Sequence, residues 1–198
     1  MPKICPPWLA GLYDNDKGVS KAAQEALTSL FSSKEKLIGL RKAYQQPILL
    51  YCTSVIRNET VDSLSDARTS STDDAEAKYA RTVATSICLL QDLLQILPLE
   101  DRELCRPLYN EILTSEKLWA FVSANDSYLA RSTCKIFPIS FNELAGNDIC
   151  FQCSRSCLLT NMVQIMKRGL KLAVLCCIIY SLSQRKILSV NYLMFWFT

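Results

Sequence analysis

The chain has 198 residues, 49% of them hydrophobic and 21% charged, with a formal net charge of +3. That is the balance of a globular chain rather than a disordered one. It contains no histidine and only five glycines, which excludes Ser-His-Asp and Cys-His catalysis and every zinc module needing a His ligand. Neither G-x-G-x-x-G nor G-x-x-x-x-G-K-[ST] occurs, so no Gly-rich phosphate cradle is encoded.

The first predicted element lies in DNDKGVSKAAQEALTSLF. Val19, Ala22, Ala23, Ala26, Leu27 and Leu30 recur at helical spacing and define one apolar face, expected to be buried. Asp14 and Asp16 stand where the helix dipole favours negative charge. Next, SSKEKLIGLRKAY opens with Ser32 and Glu35 three apart, a capping-box spacing. Gln46-Pro47 is expected to break or restart the helix, giving PILLYCTSVIRN as a further segment.

Asn58 to Thr72 is polar and without an apolar stripe, and reads as a loop. Asp73, Asp74 and Glu76 then start a long helix. Ala80, Val83, Ala84, Ile87, Leu90, Leu94 and Leu97 form its stripe, and Pro98 ends it. The acidic start reads as a solvated helix terminus rather than a paired-carboxylate site. Beyond it, DRELCRPLYNEIL predicts a helix burying Leu104, Leu108 and Ile112, with Pro107 kinking it or marking its true start. TSEKLWAFV follows as a short helix in which Trp119 is a packing residue, and NDSYLARSTCKIF is the last one.

No stretch of this region alternates apolar and polar residues with hairpin dipeptides between. The expected fold is therefore all-α: a HEAT/armadillo-like solenoid fragment of stacked antiparallel helix pairs, or a simple bundle. An internal echo favours the solenoid. Asp16, Val19, Lys21 and Ala23 match Asp126, Leu129, Arg131 and Thr133 in class and spacing. Lys21 and Arg131 are expected to pair with the turn acids rather than to contact RNA.

The composition divides the chain at about residue 144. Met1 to Gly146 holds 16 Lys+Arg against 18 Asp+Glu, whereas Asn147 to Thr198 holds six against one. The cysteines divide likewise: Cys5, Cys52, Cys88, Cys105 and Cys134 are scattered, while Cys150, Cys153, Cys157, Cys176 and Cys177 crowd the end. Two regions are expected, an incomplete helical-repeat region over 1–144 and a Cys-rich, basic, apolar tail over 145–198. A splice donor spelled across the codons of Gly146 and Asn147 would make the tail translated intron. The opening MPKICPPWLAGLYDNDKG lacks an apolar signal core, so a reducing cytosolic setting is expected, with the scattered cysteines as small buried hydrophobes.

The pieces PPWLAGLYDNDKGVSKAAQEALTSLF, LSDARTSSTDDAEAKYARTVATSICLLQDLLQIL and LYNEILTSEKLWAFVSANDSYLARSTC together resemble the N-terminal HEAT-like region of listerin, the RING-type E3 ubiquitin ligases of ribosome-associated quality control. Trp8 ahead of Asp14 and Asp16, the Leu64-Ser65-Asp66 turn, Tyr79-x-Arg81-x-Val83, Leu118-Trp119 and Arg131 carry the likeness, which covers roughly residues 6–136. The resemblance implies a scaffold portion that binds stalled large (60S) ribosomal subunits and the companion tRNA-binding quality-control factor in the cytosol. It also implies a zinc RING elsewhere in the family's members; that module cannot be in this chain. No catalytic, cofactor-binding or metal-binding residue, no cofactor and no E2 binding are therefore expected of this chain by itself. Cys150-x-x-Cys153-x-x-x-Cys157 lacks a fourth ligand for a tetrahedral zinc site.

The alternative is a small helical membrane-associated protein anchored by its tail. Leu170–Leu182 is apolar but far short of the ~20 residues a spanning helix needs. Lys167, Arg168, Lys171, Arg185 and Lys186 would hold such a segment at an anionic surface.

Overall fold

The computed structural model describes residues 4–66 and 71–144. In chain order the helices are α1 Cys5–Ala10, α2 Lys17–Leu30, α3 Lys34–Ala43, α4 Gln45–Arg57, α5 Val61–Leu64, α6 Thr72–Ile96, α7 Leu99–Arg102, α8 Arg106–Leu113, α9 Glu116–Ala120 and α10 Ser127–Leu144. Tight 3-10 turns at Gly11–Tyr13, Glu103–Cys105 and Phe121–Ser123 join them, and no strand occurs among the described residues. This is an all-α, solenoid-like fragment.

The long helix α6 is the axis. Ser71 caps it by accepting from the Asp74 amide, and Asp73 and Asp74 sit exposed in its first turn as the dipole requires. Every residue of the expected stripe is buried, from Ala80 to Leu97. Burial goes further, because Thr85, Ser86, Leu89 and Leu93 are buried too, so α6 is covered on more than one side. The Thr85 and Ser86 hydroxyls donate back to the Thr82 carbonyl at 3.0 and 2.9 Å, which satisfies them without a partner helix. Each fully enclosed Leu or Ile contributes about 1.5–3 kcal/mol relative to exposure.

Contacts along α6 fix the placement of its neighbours. The α4 thiol of Cys52 meets the Ser86 carbonyl at 3.4 Å, and Arg41, ahead of α4, meets Asp92. Lys117, bonded to the Arg57 carbonyl at the end of α4, lies 6.0 Å from the ring of Tyr79 nearer the start of α6, so α4 and α6 run antiparallel. Phe121 stacks edge-on to Tyr79 at 6.4 Å, and Tyr128 and Ser132 reach Cys88 further along at 3.8 and 3.4 Å. Hence the first turns of α10 lie against the middle of α6. Trp119 is buried, its indole Nε1 donating to the Leu113 carbonyl at 2.8 Å, so it is the packing residue expected.

Several expectations are corrected. Of the α2 stripe only Leu27 is buried, and Ala23 is half-buried; Ala22 and Ala26 are exposed, Val19 is 45% exposed and Leu30 68%. Amphipathic spacing fixes a face, but not what meets it. Ser33 rather than Ser32 caps α3, accepting from the Lys36 amide at 3.3 Å. The helical restart falls at Gln45, so Pro47 occupies the first turn of α4, where an amide is not needed. The polar stretch after Asn58 contains α5, nucleated by a reciprocal Thr60–Ser63 capping box. Leu104 is 96% exposed, because the chain enters α8 through a separate α7 and a 3-10 turn. Pro107, in the first turn of α8, marks that helix's true start. Finally, α10 continues past Phe137 to Leu144.

Candidate interaction surface

The internal echo is a repeat of backbone geometry. α1 ends at Ala10 and α9 at Ala120; 3-10 turns follow at Gly11–Tyr13 and Phe121–Ser123; α2 starts at Lys17 and α10 at Ser127. Each boundary is displaced by the same 110 residues. Asp14 and Ala124 are both extended, with φ/ψ of −63°/140° and −60°/146°. Asp16 Oδ1 accepts from the Gly18 amide at 2.7 Å and the Val19 amide at 3.3 Å, and Asp126 Oδ1 accepts from the Leu129 amide at 2.7 Å. Short acceptor side chains at this spacing are what a helix start needs for its free amides.

The expected role of Lys21 and Arg131 is corrected here. Lys21 pairs with Glu25 on its own helix at 3.8 Å, and Arg131 Nε donates to the Ser127 carbonyl at 2.9 Å. Each basic group reaches along its own helix because the turn carboxylate is already engaged by backbone amides.

The repeated turns meet at one edge of α6. The Tyr128 hydroxyl donates to the Tyr13 carbonyl, and Arg81 of α6 lies 3.8 Å from the Asp14 carboxylate. Deeper in, Arg41 of α3 bonds Asp92 of α6, with only 8% and 15% of the two side chains exposed. Tyr13 joins this pair through its hydroxyl. Burial pulls the Arg41 guanidinium down, but Asp92 and Tyr13 more than offset it and leave the group above its ordinary value. Burial, reinforced by Asp92, pushes the Tyr13 phenol up. The cluster therefore holds one fixed cation, one acceptor carboxylate and a neutral phenol, and fastens the N-terminal turn, α3 and α6 together.

A second set of ties closes the far end of α4. Arg57 pairs with Glu111, and Lys117 donates to the Arg57 and Glu59 carbonyls at 3.2 and 2.8 Å while lying 6.0 Å from the Tyr79 ring centre. A cation at a helix C-terminus satisfies its last carbonyls and favours the dipole. Neither set of ties is legible in the sequence, because the partners come from different helices: Arg41 and Asp92 are 51 positions apart, Arg57 and Glu111 54.

The thiols are placed as packing groups. Burial raises Cys5, Cys105 and Cys134, and pushes Cys52 up to about 12, so these thiols are protonated and poor nucleophiles at neutral pH. No grouping of three or more His, Cys, Asp or Glu side chains fit to hold a metal exists among the described residues. Asp73, Asp74 and Glu76 are exposed at the α6 terminus, as expected. Cys150, Cys153 and Cys157, and the apolar segment Leu170–Leu182, lie outside the described residues.

What remains on the surface is the outer side of α2. Val19, Ala22, Ala26 and Leu30 follow one another at i, i+3, i+7 and i+11, all exposed, an apolar line about 16 Å long at 1.5 Å per residue. The register-equivalent positions of α10, Leu129, Ser132 and Ile136, are all buried. The same backbone unit is thus covered on α10 and open on α2.

Helices cross-braced by ion pairs and hydrogen bonds around α6 define an all-α, solenoid-like unit. A model of the N-terminal domain of the E3 ubiquitin-protein ligase listerin matches residues 1–167, and the chain belongs to the listerin family. It is 36% identical over 132 residues to E3 ubiquitin-protein ligase listerin of Neurospora crassa, which covers 67% of this chain and 8% of that protein. The Schizosaccharomyces pombe listerin is 29% identical over 131 residues, 60% of this chain and 8% of that protein. The Gallus gallus listerin is 28% identical over 146 residues, 66% and 8%. The matched stretch thus spans less than a tenth of the length of these relatives. The family match continues past Leu144 to residue 167 and takes in the Cys150–Cys157 stretch, so it does not end at the composition break.

Proposed function

We propose that this chain is the N-terminal scaffold portion of a listerin-type E3 ligase, a HEAT-like unit that helps hold stalled large ribosomal subunits and the companion tRNA-binding factor in the cytosol. The observation that carries the reading is the listerin N-terminal-domain match over residues 1–167. The braced helical stack supports it, since a scaffold needs a surface held at a fixed place rather than a reactive group. Ubiquitin transfer belongs to the zinc RING of the full-length relatives; without that module the chain neither recruits an E2 nor transfers ubiquitin. Among the described residues no helix is long and apolar enough to cross a membrane.

The test has two arms. Full-length chain is sedimented with stalled large subunits loaded with the companion factor, and it is expected to travel with them. A chain that stays at the top of the gradient, under conditions where a full-length listerin co-sediments, refutes the binding role. In the second arm the chain is incubated with E1, E2, ATP and the same subunits, and no nascent-chain ubiquitylation is expected. Ubiquitylated product formed by the chain alone refutes the assignment of transfer to the absent RING.

A further inference from the structure

We draw no further inference here: the strongest candidate, the open apolar face of α2 formed by Val19, Ala22, Ala26 and Leu30, carries none because nothing in the structure shows what covers it.

Discussion

Replacing Asp92 by Ala strands the Arg41 guanidinium. Arg41 is 7% exposed and its side chain has Asp92 as its ion-pair partner, with Tyr13 alongside. Removing one member of a buried pair costs about 3–5 kcal/mol, because the remaining charge stays desolvated. Asp92 keeps 15% side-chain exposure, so water can enter the vacated space and the cost falls near the lower bound, about 3 kcal/mol. With a urea m-value of about 2 kcal/mol/M, typical of domains this size, the midpoint should fall by about 1.5 M. The informative companion is the double variant Arg41→Met with Asp92→Leu, which removes both charges and fills the volume with apolar atoms. Exchanges of this kind are often neutral or stabilising, so its midpoint should return to within about 0.5 M of the parent. Urea titrations of the full-length chain, followed by helical ellipticity, decide the matter. A single variant that loses less than about 1 kcal/mol, or a double variant as unstable as the single, would refute the account of Arg41 as a buried charge balanced chiefly by Asp92, with the Leu37 carbonyl and Tyr13 as its remaining polar contacts.

Asp126→Ala should cost about 1 kcal/mol through loss of the α10 cap, and Asp16→Ala about the same or less, read as urea midpoints, because α2 is packed on one side only. Leu90→Ala, at a fully enclosed position of α6, should cost about 2–5 kcal/mol, whereas Leu104→Ser, 96% exposed, should stay within about 0.5 kcal/mol; equal effects would contradict the burial pattern. Stability should fall as pH rises: Cys52, held near 12 in the fold against an ordinary value near 9, and Tyr13 and Tyr128, both raised by burial, keep their protons longer folded than unfolded. Their contribution is complete below about pH 9 and is lost progressively between there and about pH 12, so thermal midpoints that hold constant from pH 8 to pH 11 would contradict it. Native-state alkylation at pH 7 should leave Cys52 unmodified while labelling it fully in urea.

Local order was written into the sequence because helices are specified by near neighbours. The α6 stripe from Ala80 to Leu97 is buried as its spacing requires, Pro107 opens α8, and the Asp16 and Asp126 echo returns as two Asp-capped helix starts. These are matters of a turn or two of backbone, settled by propensity, capping and proline geometry. Only tertiary structure decided which faces found partners. The stripes of α2 and α6 have the same periodicity, yet α6 is enclosed from several sides and α2 shows most of its stripe to solvent. Likewise nothing local distinguishes Arg41, buried against Asp92, from Lys36, exposed on the same helix. A periodic pattern states that a face is apolar; the neighbour that covers it, and the acid that meets a given base, are fixed by residues scores of positions away.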